Sequence, residues 1–559
     1  MSPGERGADG REAAGAGSPG LARRPVVIHA VGERISKDDA YRSPRGRARA
    51  PGYPASALGV SHILTRGSRD KQENSLHILS MHATTWANEE FGSAELGDER
   101  LNERLLVMAQ RLADRPGGKL TKVFEFGAEL HGAYRFIEND LVSSDEMERA
   151  RGESCARRLT DSAVTVVPID QTSIKLAEQR KTENFGSVGT RSSGARGVQV
   201  MTALALDGEG VILGVLHQDR WLRSDERTPP RSQGRKGKRK DKRPAEQRES
   251  YAWIRALDGC HAQQQQHAPE VRPWYQVDQG ADFWRVFDWA HQHHALLTAR
   301  VGHERIVFNG KYRSHLHPWI EAQHVAYRYD LELPERTGRD RRDARTAHLS
   351  VRFGTTSVHF YSTKTKTTAI TLSVVAVAEP RPPEGAEPID WLLLTTFPVV
   401  NQKDAALVIS NYTLRWRCEE FHRTLKTGAC NIEQSELQTF ENFCRLLVLE
   451  SSVAARIERI KFLSRTQPDA PATVAYTREE IDMMIRLREQ HMVRKKPGYR
   501  PSQTPPVSLV TRWVAELGGF IPSRSRGYPG TIVLSRGLVI LQNAVLGARA
   551  FRLPASGCG

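Results

Sequence analysis

The sequence predicts an α/β protein in which a sheet-containing middle is flanked by helical segments at both ends. Between residues 81 and 150, apolar residues such as Leu101, Leu105 and Met108 recur at helical spacing. From about residue 160, runs of β-branched apolar residues are separated by turn signals and short helical patterns. After about residue 436 the spacing becomes helical again. These patterns give the order helical domain, α/β core, helical domain.

Residues 1–80 differ from the rest of the chain. They are rich in Gly, Ala, Arg, Pro and Ser and show no sustained periodicity. Such a composition buries too little apolar surface to order itself, so we expect a disordered basic extension. One interpretation is an arm that contacts DNA, and the preferred one is that translation starts at Met81.

The segment 81–150 predicts a small helical domain that carries many basic side chains. One helix ends at Gly117, and a second covers residues 125–138. The basic residues are Arg100, Arg104, Arg111, Lys119, Lys122 and Arg135. They are equally consistent with contacts to DNA phosphates and with a solvated basic face.

The middle of the chain predicts alternating strands and helices with one β-rich insertion. Strands are predicted at 164–169, 198–206, 211–216, 274–277, 295–301 and 391–396, and helices at 283–291, 403–427, 436–460 and 478–495. Residues 325–378 alternate polar and apolar side chains, which is typical of antiparallel strands. A basic run at 231–243 is either a solvated loop or a segment that follows a DNA backbone.

Composition narrows the function classes. The net charge of +16 favours a polyanionic partner, nucleic acid before an anionic membrane. The six cysteines include no C-x-x-C pair, so a zinc site is not expected. No apolar run approaches the roughly 18 residues of a membrane span, and the N-terminus lacks an apolar secretory segment. We therefore expect a cytoplasmic protein with no membrane partner.

The predicted helix 403–427 carries the densest set of candidate functional side chains. An apolar stripe that should face the core is formed by Leu407, Leu414, Cys418, Phe421 and Leu425. Beside it, Tyr412, Arg415, Glu419 and Lys426 fall within an arc of roughly 60° on a regular helix. An amphipathic helix with an ordinary salt bridge from Arg415 to Glu419 would show the same pattern.

Two aspartates extend this set. Asp170 and Asp278 each follow a predicted buried strand, and acidic side chains at strand ends tend to lie in a ligand-binding crevice. Carboxylates brought close together repel each other unless a cation lies between them. Together with Glu419 they suit two Mg²⁺ ions, for which Mn²⁺ can substitute, and a phosphodiester. The alternative is that each aspartate is only a cap or turn residue.

These residues resemble the signature of a known family. The spacing Tyr412-x2-Arg415-x3-Glu419-x6-Lys426 is similar to the Y-x2-R-x3-E-x6-K motif of bacterial cut-and-paste DDE transposases, the insertion-sequence-four family. IDQTS at 169–173 resembles that family's first-aspartate motif, and VDQGAD at 277–282 resembles its D-R-E-A-D motif. LGDER at 96–100 and GAYRFI at 132–137 resemble its DNA-binding domain, and LGGF at 517–520 its C-terminal domain.

The resemblance implies a ribonuclease-H-like catalytic core. It implies a DNA-binding domain at 81–150, a core in two parts at 151–324 and 381–460, a β-insertion at 325–380 and a helical dimerisation domain at 461–559. The implied activity is metal-dependent cleavage at transposon ends and strand transfer into target DNA through a hairpin, by a homodimer on double-stranded DNA. By position, Arg300 matches a DNA-contacting arginine, and Trp391 an aromatic residue that stacks beside a flipped base.

The sequence departs from the family pattern at a few positions. Gln279 and Gly280 replace Arg and Glu of the second motif, and Gly302 stands where a basic contact is expected. Residues 531–541 lack the tryptophans that the family pattern predicts for the dimerisation domain. Two other interpretations remain, a structure-selective nuclease of the same fold and a catalytically silent DNA-binding regulator. The silent regulator should have a broken carboxylate triad, whereas the triad is intact here.

Overall fold

The computed structural model describes residues 85–552 apart from 163, 177–183, 190–193, 224–247, 336–342, 362–366, 492–503 and 523–526. The predicted extension at 1–80 and the basic run at 231–243 lie outside the described residues. The described part is a mixed α/β protein with one large sheet and helices on both of its faces.

Helices make up the first part of the described chain. They are α1 (Thr85–Phe91), α2 (Glu99–Asp114), α3 (Leu120–Val123), α4 (Gly127–Ile137) and α5 (Ser144–Arg157). Asp98 caps α2 because its side chain accepts a hydrogen bond from the backbone of Arg100. Leu105, Met108 and Leu112 are buried on one face of α2. The helices expected from apolar spacing are therefore present, and α5 runs past the predicted boundary at residue 150.

Twelve strands form a single sheet in the described residues. They are β1 (Val166–Lys175), β2 (Gly186–Ser187), β3 (Arg196–Leu206), β4 (Ile212–Trp221), β5 (Trp274–Val277), β6 (Leu296–Arg300), β7 (Ile306–Asn309), β8 (Tyr312–His315), β9 (Val325–Leu333), β10 (Arg345–Tyr361), β11 (Thr367–Ala378) and β12 (Asp390–Thr395). Their order is β2-β3-β1-β5-β6-β12-β11-β10-β7-β8, with β4 beside β3 and β9 beside β10. Only the pairs β1–β5 and β5–β6 are parallel.

The β-rich segment predicted at 325–378 forms antiparallel strands, as expected. β9, β10 and β11 pair with one another in antiparallel fashion, and β11 pairs with β12. The insertion therefore continues the central sheet. The hairpin β7–β8, which precedes the predicted insertion, also joins β10.

The predicted single helix at 403–427 is wrong in one respect, because it is two helices. α9 (Gln402–Thr413) and α10 (Trp416–Lys426) are separated by Leu414 and Arg415. Leu407, predicted to face the core, is 40% exposed. The apolar stripe fails there because α9 and α10 pack on different parts of the sheet and so turn different sides inward.

The C-terminal part is helical, as predicted. It contains α11 (Phe440–Thr466), α12 (Arg478–His491), α13 (Val507–Leu517) and α14 (Thr531–Arg552). A capping box precedes α12, because Thr477 and Glu480 each accept from the other's backbone nitrogen. By length and composition alone α14 is apolar enough to cross a membrane, contrary to the expectation from apolar runs, but a single such helix is weak grounds for a span.

The remaining helices cover the sheet next to the candidate site. α6 (Ala252–His267), α7 (Trp284–Gln292) and α8 (Leu316–Glu321) share one core with Val167 and Ile169 of β1. Val166 and Ile174 of β1 belong to a second core that includes α10 and α11. Because alternate side chains of β1 enter opposite cores, this strand lies at the centre of the molecule.

Candidate active site and DNA-binding domain

Asp170 lies in the middle of β1, so its predicted position at a strand end is wrong. β1 continues to Lys175 because it pairs with β3, where Asp170 lies opposite Thr202. On its other side β1 pairs with the shorter β5, through Pro168 opposite Gln276. β5 ends one residue later, so Asp170 faces the opening beyond the carboxyl end of β5.

Asp278 is the first residue after β5. Asp278 comes two positions after Gln276, and Asp170 comes two positions after Pro168. Because Gln276 and Pro168 pair across parallel strands, the two aspartates lie side by side. The Asp278 side chain also accepts a hydrogen bond from the backbone of Gly280 at 2.6 Å. The predicted alternatives therefore coexist, because Asp278 caps a turn and also borders the opening.

Arg300 and Trp391 approach the same opening from the neighbouring strands. Val277 pairs with Ala299, which brings Arg300 beside Asp278 at the end of β6. Arg300 lies opposite Leu393 of β12 and donates to the backbone oxygen of Asp390 at 3.3 Å. Trp391 is half-buried at the start of β12.

The junction between α9 and α10 brings a cation to Asp170. Arg415 lies in this junction, and its guanidinium is 3.2 Å from the carboxylate of Asp170. Both side chains are 8% exposed. α10 packs over β1 through the buried side chains of Cys418, Phe421 and Leu425, and the thiol of Cys418 also donates to the backbone oxygen of Pro168 at 3.5 Å. Glu419, one turn into α10, reaches the same carboxylate of Asp170.

The charges of the triad are felt most strongly at Asp170. The pKa of Asp170 is raised to about 8, mainly by burial and in part by the carboxylates of Glu419 and Asp278, while the positive charge of Arg415 opposes the shift. For Arg415, burial lowers the pKa, but the neighbouring Asp170 more than offsets this and the net shift is upward. Asp170 is therefore the buried member of the triad, and the half-buried Asp278 and Glu419 lie close enough to act on its charge.

Tyr412 and Lys426 lie on either side of this centre. Tyr412 is buried, its ring meets that of Trp391 edge to face at 5.8 Å between centroids, and burial raises its pKa. The ammonium of Lys426 is 3.4 Å from the hydroxyl of Thr172 and 3.7 Å from the carboxylate of Glu433. The structure thus brings Tyr412 and Lys426 to the triad, although they lie on two helices rather than on one.

Two polar side chains near the triad were not predicted. His422 on α10 is buried, with its Nδ1 3.9 Å from the carboxylate of Asp170. Burial, with the charges of Lys426 and Arg415, lowers the pKa of His422 to about 3. Its position three residues after Glu419 is the only sequence signal for it. Glu433 lies after α10 in a one-turn 3-10 helix, Ile432–Gln434, which is too short for periodicity to give a signal.

Gly302 and Gln279, two of the positions that depart from the family motif, lie close together in the structure. A side chain at Gly302 would bring its Cβ within 3.0 Å of the backbone oxygen of Gln279. The buried carboxylate of Asp282 accepts from the backbone nitrogens of Gly302 and His303 at 2.9 and 3.1 Å and pairs with Arg305 at 2.8 Å. The loop after Arg300 is therefore held close to the turn that follows Asp278, which leaves little space for a basic residue at 302.

The three carboxylates are suitable ligands for a divalent metal ion, but they are not arranged around a preformed metal site. Carboxylate oxygens are the ligands that Mg²⁺ prefers, and a bound cation would favour the charged form of Asp170, whose pKa is raised by burial and by the nearby Glu419 and Asp278. Within the described residues, however, no group of three or more His, Cys, Asp and Glu side chains is already arranged to hold a metal ion. Arg415 supplies the positive charge beside Asp170.

In the helical domain, the predicted basic residues divide into paired and exposed groups. Arg111 pairs with Glu129 at 2.7 Å, and Lys119 pairs with Glu436. Arg100 pairs with Asp98 at 2.9 Å on the surface. Arg104, Lys122 and Arg135 have exposed side chains. The exposed residues are the better candidates for phosphate contacts, because no carboxylate must be displaced.

This domain matches a known protein family. Residues 83–142 fit the family model described as transposase DNA-binding. The match covers α1 to α4, which carry Arg104, Lys122 and Arg135. This similarity supports a transposase, with DNA as the partner of its N-terminal helical domain.

Proposed function

We propose that this chain is a DDE transposase that cleaves transposon ends and joins them to target DNA. The observation that carries the proposal is the convergence of Asp170, Asp278 and Glu419, which come from a strand, a strand end and a helix. The match of residues 83–142 to transposase DNA-binding domains supports it independently. The motif spacing favours the insertion-sequence-four family, with resemblance to the transposase of the kanamycin-resistance composite transposon.

For the sheet we propose a ribonuclease-H-like core made of five strands. In the order β4-β3-β1-β5-β6, the first three strands are antiparallel and the last two run parallel to β1. The carboxylates lie at the point where β5 ends and β1 continues, an opening suited to a ligand. Of the remaining strands, the two-residue β2 pairs with β3, and β7 to β12 form the extension of this core beyond β6.

In the proposed reaction, two bound Mg²⁺ ions would activate the attacking water or 3′-hydroxyl and stabilise the leaving oxygen. Asp170, Asp278 and Glu419 would hold them. Arg415 and Lys426 would bind phosphate oxygens, for which Arg offers a two-pronged donor. Arg300 would contact the neighbouring backbone, with the aromatic pair Trp391 and Tyr412 at its side.

We further propose that the protein acts as a cytoplasmic, nucleoid-associated homodimer on double-stranded DNA. Exposed apolar side chains on α14 support association through the C-terminal helices. They are Ile532, Ile540 and Phe551, which are 49%, 44% and 93% exposed. In the proposed dimer, these side chains would be covered by the second copy of the chain.

The triad is tested by replacing each carboxylate with its amide. Asp170→Asn, Asp278→Asn and Glu419→Gln should each reduce Mg²⁺-dependent cleavage of transposon-end DNA by at least about 1,000-fold. DNA binding in a gel-shift assay should persist, because the helical domain is untouched. Glu321→Gln, an exposed carboxylate on α8, is the control.

Wild-type cleavage by any of the three amide variants would remove that residue from the site. Strand transfer is measured in the same reactions with a supercoiled target plasmid. Cleavage by the wild-type protein without joining would favour the structure-selective nuclease. Binding without either reaction would favour the silent regulator.

A further inference from the structure

We propose that Arg415 occupies the place of a metal ion beside Asp170 in the DNA-free protein, and that DNA releases it. When a DNA phosphate binds the guanidinium of Arg415, the ion pair breaks and Asp170 can bind a divalent cation. Binding of DNA and binding of metal would then favour each other. The inference rests on the proposed function, and it concerns the order in which the site is filled.

The ion pair itself is the first support. The guanidinium of Arg415 is 3.2 Å from Asp170, and both side chains are 8% exposed. Guanidinium is planar and matches carboxylate and phosphate geometry equally well, so it can exchange one for the other. A buried carboxylate left without a cation is strongly unfavourable, which keeps the pair together until a substitute arrives.

Among the neighbouring charged side chains, Arg415 is the cation that neutralises Asp170. The carboxylates of Glu419 and Asp278 crowd Asp170 and disfavour its charge. Lys426 is held against Glu433 at 3.7 Å and Thr172 at 3.4 Å. The positive charge that offsets this crowding therefore comes from Arg415.

The position of Arg415 permits the exchange. It lies in the junction between α9 and α10, where hydrogen bonds of the tighter i to i+3 kind replace the regular helix ladder. Cys418 of α10 remains attached to Pro168, so the guanidinium can turn without moving the helix that carries Glu419.

The test measures Mn²⁺ binding rather than activity. Full-length protein is titrated with Mn²⁺ in the absence of DNA, and free Mn²⁺ is followed by electron paramagnetic resonance. Arg415→Gln should bind Mn²⁺ about tenfold more tightly than the wild type, although it should be a poorer enzyme. Arg415→Lys keeps the cation and should remain close to the wild type. Arg423→Gln removes an exposed charge from the same helix and is the control.

A second titration in the presence of a short DNA duplex completes the test. Because coupling is reciprocal, the duplex should tighten Mn²⁺ binding by the wild type but have little effect on Arg415→Gln. Equal or weaker Mn²⁺ binding by DNA-free Arg415→Gln overturns the inference while leaving the proposed function intact. If that variant does not fold, an unchanged wild-type affinity with duplex overturns it instead. No Mn²⁺ binding by the wild type under either condition overturns the proposed metal chemistry as well.

Discussion

Several side chains in this site have a structural contact and a candidate functional role at once. Asp278 caps a turn through Gly280 and borders the opening at the end of β5. Sequence spacing predicted Arg415 and Glu419 together, because they are one helical turn apart. It could not predict that Arg415 pairs with Asp170, or that His422 lies beside it, because those contacts depend on how α10 packs across β1.

Trp391 offers a prediction at this scale that depends on the proposed function. Its ring is half-buried and meets the ring of Tyr412, next to the DNA-contact residues expected at the site. If the indole stacks on a base expelled near a hairpin tip, the contact is worth about 1–3 kcal/mol. Trp391→Ala should then slow hairpin formation about tenfold or more while first-strand nicking stays close to wild type.

Product analysis on denaturing gels separates nicked from hairpin DNA, and melting temperatures report the fold. Trp391→Phe is the companion variant, because it keeps an aromatic ring against Tyr412 and should show a smaller defect. If Trp391→Ala unfolds, or if nicking and hairpin formation fall together, Trp391 is a core residue and the stacking role is wrong.

At the scale of elements, the break between α9 and α10 was invisible in the sequence. Leu414 and Arg415 include neither Gly nor Pro, so no local signal ends a helix there. The cause is tertiary, because α9 packs through Val408 and Ile409 on one core and α10 packs through Phe421 on another. A continuous helix could not face both surfaces.

The contact between α13 and α14 gives a prediction that belongs to this scale. The two helices cross so closely that a Cβ at Gly537 would lie 1.8 Å from the backbone oxygen of Val514. A Cβ at Gly518, just after α13, would likewise lie 1.8 Å from the backbone oxygen of Val533. Gly537→Ala should therefore push the helices apart and destabilise the protein by about 2 kcal/mol.

The matched control lies on the same helix. A Cβ at Gly547 meets nothing within 4 Å, so Gly547→Ala should be neutral or stabilise α14 by up to about 1 kcal/mol. The test compares melting temperatures, and Gly537→Ala should melt at a lower temperature than Gly547→Ala. Equal melting temperatures for both alanine variants would mean that α13 and α14 do not cross so closely in solution.

At the scale of the whole molecule, the order of helical, α/β and helical regions could be predicted, because it depends on local periodicity. The arrangement of strands could not, because β1 lies between β3 and β5, which are distant in sequence. Contacts between the DNA-binding domain and the rest of the chain also join residues that are far apart in sequence, so the sequence did not predict them. Arg445 of α11, for example, donates to the backbone oxygens of Ile137 and Val142 at 2.7 Å each.

Glu450 is a second such contact, and it makes stability depend on pH. It is fully buried in α11, and its carboxyl accepts from the backbone nitrogen of Gly117 in the DNA-binding domain at 3.2 Å. Burial raises its pKa to about 8, whereas an unfolded glutamate titrates near about 4.3. Between these values the folded chain holds a proton that the unfolded chain has released. This contribution to stability is therefore complete at low pH and is lost as the pH rises through about 8.

Glu450→Gln should remove this dependence, because an amide resembles the protonated carboxyl and does not ionise. Its melting temperature relative to wild type should rise between about pH 6 and about pH 9. Glu441→Gln removes an exposed carboxylate from the same helix and is the control, so only the difference between the two variants is assigned to burial. A Glu450→Gln advantage that does not change with pH would mean that Glu450 is already ionised in the folded protein. The carboxylate would then be stabilised by contacts other than the backbone nitrogen of Gly117, and this link between domain and core would be insensitive to pH.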